Sequence, residues 1–545
     1  MKDEIRNTWW RTSPNRREFI RGASVVGVGA AAVGLVGCGD DDKGTGGTPG
    51  APSPAARASE VPTKGGTLTL GKISDINLSS GYPFYAAAEN GYLQDIPVES
   101  LVRYGKSLAP ELWLVERFEY NTDRSKLTAT IKQGVTFHNG APLTPDDVFF
   151  GIQLMQNPAK YNVTGTIQLA PFAKFITDMK KVDERTMEFT FDKPRPNMND
   201  FFAQMRITQA ASYTKLQKGE DVQGTGPYAF KNWRPNQAFS FVANKNWHGT
   251  ATQGGPYLDA IEVTLFADQD ALGLAYEAGN LDVIGGAPRP VAKKYRNLTK
   301  VAPKGGLTYC GVNVTNPLLK DARVRQAVMY AIDRKRLVEE IGEGFGTVTN
   351  QPWPDTSPAF DKNLEAPYYD PAKAKALLQQ AGFTSPRAFQ IEHRNTNASE
   401  GAVLKENFEA IGLKIELIQT EANAFAGKLR AKEFKDFWIT THSFSDLTPL
   451  TNFQQTIPYQ VNNPSSYQSA EYSDLQAKLE ALDPVSAAAK EQYARFNKLW
   501  IEEPWVLALE PNSRVDLFST KVRGNDEYLG APGSALNWGR TWKKA

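Results

Sequence analysis

Cysteine and histidine are scarce in this chain of 545 residues, with two of the first and four of the second. Two cysteines exclude the multi-bridge framework that staples small secreted domains. Cys310 lies in the strand-like run Leu307-Thr308-Tyr309-Cys310-Gly311-Val312, where a small buried hydrophobe is its simplest role. The histidines (His138, His248, His393, His442) stand at no metal-ligand spacing, so no metal site is expected and scattered exposed side chains are the simplest reading. The His-Glu-x-x-His, Cys-x-x-Cys, Gly-x-Ser-x-Gly and P-loop patterns are all missing, and no cofactor is expected. A near-match to a dinucleotide fingerprint, Gly27-Val28-Gly29 followed by Gly34, falls inside an N-terminal apolar stretch and is spurious. An excess of one charge is missing as well. With 62 basic and 60 acidic residues, the chain lacks the basic surplus that a nucleic-acid partner normally demands. Beyond the N-terminal region no apolar run reaches membrane-spanning length. Nothing here compels an enzyme, although a hydrolase carboxylate pair would be invisible among so many acids.

The N-terminus is informative. Arg16-Arg17-Glu18-Phe19-Ile20-Arg21 precedes a short Gly/Ala-rich apolar stretch, Ala23 to Gly37, which closes in Leu35-Val36-Gly37-Cys38. Paired arginines, apolar run and cysteine in this order read as a twin-arginine lipoprotein signal peptide, residues 1–37, cut to leave Cys38 as the new N-terminus. The rival reading is a short buried helix. The expected mature protein is tethered by lipid on Cys38 to the outer face of the cytoplasmic membrane, in a periplasm or at the cell surface. Its 508 residues carry 56 basic and 57 acidic side chains, and they exceed what one ordinary core holds, so two or more lobes are expected. With Cys38 lipidated, Cys310 has no intramolecular partner.

Residues 38–64 are mostly Asp, Gly, Thr, Pro, Ala and Ser and read as a flexible tether. The fold is expected to start at the alternating run Gly65 to Gly71. Thr144-Pro145-Asp146-Asp147 supplies an N-cap, a proline at the first helical position and first-turn acids. Asp370-Pro371 opens a helix that stops at Ala381-Gly382, and Val324, Ala327, Val328, Ala331 and Ile332 trace an amphipathic helix. Lys414 to Gln419 and Trp505 to Leu509 are strand-like. Mixing of this kind indicates an α/β or α+β fold with helix-covered sheets. Eleven tryptophans and twenty tyrosines are many; most should be core, and a minority could line a ligand site.

Several stretches, in order, resemble the extracellular solute-binding proteins of family 5, the peptide- and nickel-type receptors of ABC importers. They are Leu127 to Gly140 running on through Pro142 to Val148, then Gly224-Thr225-Gly226-Pro227-Tyr228, Asn244 to Gly249, Asn313-Val314-Thr315, Asp321 to Ala327 with Ala331-Ile332-Asp333-Arg334, and Tyr369 to Leu378. By themselves these residues read as scaffold: an Asn-Gly turn, a tight backbone turn, and arginines (Arg323, Arg325) in structural ion pairs. The resemblance implies a monomeric two-lobed receptor that closes like a hinge on a small solute and presents it to permease and ATPase subunits. By that analogy lobe I comprises 65–90, 205–300 and 505–545, an inserted subdomain 91–204, and lobe II 301–504.

The resemblance also points to a ligand anchor. Peptide-binding members carry a Gly-Trp-x-Ala-Asp stretch whose aspartate pairs with the peptide ammonium. Here the corresponding positions read Thr441-His442-Ser443-Phe444-Ser445-Asp446, keeping the aspartate but not the Gly-Trp. Asp446 is either that anchor or the cap of a local turn. Phe444 and His442 share the stretch, and His442 could serve a metal chelate or simply make a hydrogen bond. Trp353 lies in a Pro-rich loop, open either to ligand stacking or to ordinary packing, and Tyr82 and Tyr85 follow the first strand on the same terms. A short peptide is the expected solute. The alternatives are an oligosaccharide or a metal chelate, a cell-surface hydrolase, or a sensor's receptor.

Overall fold

The computed structural model describes residues 60–73, 75, 91–104, 110–163, 167, 169–301, 306–365, 368–442, 447–511, 514–524, 528–529 and 535–544. The chain divides into two units, Met1–Gly50 and Ala51–Ala545, and every described residue lies in the second. Among the described residues no helix is long and apolar enough to cross a membrane.

Three sheets organise this unit. The largest has seven strands in the order 299–301, 515–518, 283–284, 67–72, 260–265, 238–243, 228–234. A five-stranded sheet runs 415–419, 389–393, 437–442, 307–312, 506–511, and a four-stranded antiparallel sheet runs 115–120, 126–131, 186–191, 176–181. The chain passes between the seven- and five-stranded sheets twice, between Val301 and Leu307 and between Pro511 and Val515. The mixed α/β, two-lobed architecture expected from the sequence is what these sheets build. The strand Val506–Pro511 lies beyond Trp505, where the first lobe is expected to resume. It pairs instead with Leu307–Val312 in the five-stranded sheet, and the seven-stranded sheet resumes at Val515.

Local chemistry explains the elements. Thr67–Lys72 pairs in parallel with Ala260–Leu265, its leucines Leu68 and Leu70 fully buried. Pro145–Gln156 opens on a capping box: the Thr144 side chain and the Asp147 carboxylate serve each other's backbone ends. The helix Pro371–Gln380 is capped by Asp370, whose carboxylate accepts from the Lys373 amide at 2.8 Å. Ala322–Ala331 buries Val324, Ala327, Val328 and Ala331 in one core with Cys310, Ile391 and Ile439. Arg325, at 2 % exposure, spends its guanidinium on the carbonyls of Leu319, Lys320 and Pro504 and on Glu503 at 2.6 Å, while Arg323 pairs with Asp321. Both arginines are structural, as their place beside the helix suggests. Cys310 is free and fully buried, and burial pushes its thiol up.

The sequence motifs meet in space. The His138 amide donates to the Gly224 carbonyl at 2.9 Å, and Asn244 Nδ2 donates to the Gly226 carbonyl at 3.1 Å. Below them Glu99 is buried yet saturated. It accepts the indole N–H of Trp113 (2.9 Å) and Trp247 (3.0 Å) and the Thr225 hydroxyl (2.7 Å), and it meets His248 Nε2 at 2.9 Å. Burial alone would push this carboxyl up, but the His248 charge and these donors outweigh it and hold Glu99 below its ordinary range.

Candidate ligand-binding site

One edge of the five-stranded sheet collects the chemistry. The strands Phe389–His393, Ile415–Gln419 and Phe437–His442 are parallel, and Leu307–Val312 runs opposite to them. Their register places Leu307 between His442 and Pro511, and Thr308 between Thr441 and Glu510. Carboxyl ends of strands therefore gather where Leu307–Val312 begins, the end of an open α/β sheet at which ligands generally bind. Residues 443–446 follow His442 in the sequence and lie outside the described residues, Phe444 and Asp446 among them, as do Arg16, Arg17, Cys38, Tyr82 and Tyr85.

His442 is half-buried at the tip of its strand. Its ring stacks on Tyr309 (centroids 5.6 Å apart, planes at 25°), and its Nδ1 lies 2.9 Å from the Tyr309 hydroxyl. Burial, and then the positive charge of Arg394, push its pKa down to about 4. The imidazole is therefore neutral at neutral pH, with Nδ1 committed to Tyr309. Arg394 follows directly on the Phe389–His393 strand. Its guanidinium lies 5.8 Å from the Phe425 ring centroid, and its Nε is buried with no hydrogen-bond partner among the described residues. A buried guanidinium N–H left without an acceptor favours an acceptor, an anion most of all, brought up to it.

The opposite side of the same edge carries acid. Glu510 is 4 % exposed, and its Oε2 has no partner among the described residues. Burial pushes it up to about 7, against the pull of Arg289 and with the repulsion of Glu400. Glu400 is raised too, first by burial. Arg289 comes from the helix Arg289–Lys294 beside the seven-stranded sheet and donates to the carbonyls of Gly342 and Phe345, at 2.9 Å each. A β-carbon on Gly342 would come within 3.2 Å of both Arg289 Nη1 and Glu510 Oε2.

Trp353 is not at this edge. It is 1 % exposed, edge-on to Phe453 and tilted against Tyr459 and Phe496, and it donates its indole N–H to Asn497 at 2.8 Å. Of its two readings, ordinary packing is the one found: the loop folds its tryptophan inward. None of the four histidines is exposed, because each ring is drawn into a hydrogen bond or under a neighbouring strand. Arg394 and Glu510 are the functional candidates that sequence reasoning missed. Their available signal was a charged residue immediately at the end of an apolar strand-like run.

Comparison with known proteins places the chain. The family model for bacterial extracellular solute-binding proteins, family 5, matches residues 109–463. The chain belongs to this family. It is a solute-binding protein of an ABC import system, with the family and fold of a binding protein rather than an enzyme. The heme-binding protein A of Haemophilus influenzae is 28% identical over 305 residues, 51% of this chain and about half (54%) of that protein. The glutathione-binding protein GsiB of Salmonella typhi is 27% identical over 414 residues, covering 72% of this chain and 79% of GsiB. The oligopeptide-binding protein AppA of Bacillus subtilis is 22% identical over 494 residues, covering 85% of this chain and 89% of AppA. The structure of AppA with a nonapeptide superposes with a TM-score of 0.67 at 20% identity, covering 89% of this chain and all of that one.

Proposed function

We propose that the chain captures a short peptide between its two lobes and hands it to the membrane permease, making and breaking no bond itself. The observation that carries this reading is the buried Nε of Arg394, without a hydrogen-bond partner among the described residues, directly after the strand that pairs with Phe437–His442, whose sequence runs on to Asp446. A peptide with free ends is a zwitterion. Arg394 suits its carboxylate and Asp446 suits its ammonium, each as a charge-assisted hydrogen bond stronger than a neutral one. His442, Phe444, Tyr82 and Tyr85 complete the proposed site. Relatives named for glutathione and for oligopeptides support this class of ligand. Against an oligosaccharide, no described tryptophan is exposed to offer a stacking face: eight are buried, and Trp233 lies stacked on Phe239.

Twin-arginine export, lipid on Cys38, a flexible 38–64 tether and a monomeric state complete the proposal. Lobe I is assigned to the seven-stranded sheet with the four-stranded insert, and lobe II to the five-stranded sheet. The deciding experiment is a thermal-shift screen against pooled short peptides, oligosaccharides, and nickel, iron and heme chelates. A ligand at 100 times its dissociation constant adds about 2.7 kcal/mol of stability. A shift with peptides alone is the expected result. A shift with sugars or chelates alone overturns the peptide reading and leaves the receptor.

A further inference from the structure

Directly after residues 443–446 the chain crosses to the other lobe's core. Leu447, 2 % exposed, belongs to the hydrophobic cluster of Phe201, Phe202 and Ile207 rather than to that of its own sheet. Thr448 and Thr451 follow, and both reach Asp200 in the helix Met198–Gln204 that succeeds the four-stranded sheet. Asp200 is fully buried. Its Oδ1 accepts from the Tyr104 hydroxyl at 2.7 Å, and its Oδ2 accepts from the Thr448 amide at 3.1 Å, the Thr448 hydroxyl at 2.5 Å and the Thr451 hydroxyl. Beside it Asn197 Nδ2 donates to Thr451 Oγ1 at 2.8 Å and to Gln454 Oε1 at 2.9 Å. The same seam carries the ion pairs Arg124–Asp483 and Lys193–Glu480.

We infer that Asp200 is a positioning residue that clasps the two lobes: it holds the segment 447–451 from the opposite lobe, giving the closed form a stable population of its own. The clasp is built wholly from protein donors and acceptors. One carboxylate takes four hydrogen bonds, three of them from across the seam, and a buried charge tolerates no loss of partners. Opening the lobes would return Asp200 to water, whereas closing with its partners removed would strand it. The inference rests on the two-lobed capture reading but on no particular ligand.

The test is a spin-label distance measurement without ligand on the full chain. Labels go at Val182 and Val485, exposed residues on the two sides of the seam, in a Cys38→Ser background; the remaining cysteine, Cys310, is fully buried. The unmodified clasp should show a closed component, and its closed-to-open ratio should fall at least tenfold in both Asp200→Ala and the double variant T448V/T451V. The double variant leaves the Tyr104–Asp200 bond intact should Asp200→Ala fail to fold. T448S/T451S keeps the hydroxyls and should keep the closed component. A merely structural role would lower the melting temperature and leave the distance ratio unchanged. An unchanged ratio in the variants, or no closed component in the parent, overturns the inference. A peptide screen that fails leaves this measurement unaffected.

Discussion

A β-carbon on Gly224 would stand 1.9 Å from the carbonyl oxygen of Pro97. No side-chain motion relieves such a clash, because the obstructing atom is backbone. Gly226 is in the same position, its β-carbon 2.6 Å from the Ile96 carbonyl oxygen. The Gly224-Thr225-Gly226-Pro227 turn therefore needs glycine for close approach, with no left-handed backbone involved. Gly224→Ala should cost about 3 kcal/mol or more, the upper range of overpacking, since the 95–98 backbone must move. Equilibrium denaturation of the two chains checks this; a loss below about 1 kcal/mol would show that the backbone yields easily.

Glu510 gives a pH prediction of definite sign. Its pKa is about 7 in the folded chain against 4.5 as the ordinary value, so the folded state holds the proton more tightly. Its carboxyl costs nothing below pH 4.5, and stability is lost as pH rises from 4.5 through 7, by about 3 kcal/mol in all. Glu510→Gln should thus be about 3 kcal/mol more stable than the parent at pH 8 and nearly equal to it at pH 4.5. An equal difference at both pH values would trace the effect to shape rather than ionisation.

His442 acts in the opposite direction on the acid side. Its folded pKa of about 4 lies below the ordinary 6.5, so protonation favours the unfolded chain. The stability that depends on a neutral ring is complete above pH 6.5 and is lost as pH falls toward 4, about 3 kcal/mol at the limit. His442→Asn keeps an acceptor for Tyr309 and cannot titrate. The free energy of unfolding, parent minus variant, should fall by about that amount between pH 7.5 and pH 4, measured by urea denaturation across the range. A flat difference would mean that His442 is not desolvated. In Arg394→Gln the fall should be smaller, since one of its two causes is gone.

The parts of this molecule legible in its sequence are those governed by local rules. Thr144-Pro145 and Asp370-Pro371 announce helix starts because capping is decided within four residues. Val324 to Ile332 shows its buried face by spacing alone. The family motifs were legible as scaffold, and the structure shows why they travel together: His138, Gly224, Gly226 and Asn244 bond to one another above Glu99. The seam was not legible. Asp200 and Thr448 are 248 positions apart, and neither sits in a pattern that announces a partner. Trp353 was ambiguous for the same reason, since a loop tryptophan packs inward only if a distant Asn497 is there to receive its N–H. Arg394 is visible only once the strand before it is paired, because its significance is a buried Nε without a hydrogen-bond partner among the described residues.

The peptide reading makes separate demands on the two ends of the ligand. If Arg394 takes the carboxylate, amidating a bound peptide should weaken the parent by roughly 2–5 kcal/mol for a desolvated pair. Arg394→Gln should bind free and amidated peptides alike, both weakly. If Asp446 takes the ammonium, N-acetylation should weaken the parent, and Asp446→Asn should be insensitive to it. Each substitution must remain sensitive to the modification at the other end, which separates loss of one contact from general damage to the site. Calorimetry on the four peptide forms against three chains supplies the full cycle. A parent indifferent to both modifications would remove the zwitterion argument. One indifferent to acetylation alone would return Asp446 to the role of a turn cap and leave Arg394 as the sole charged anchor.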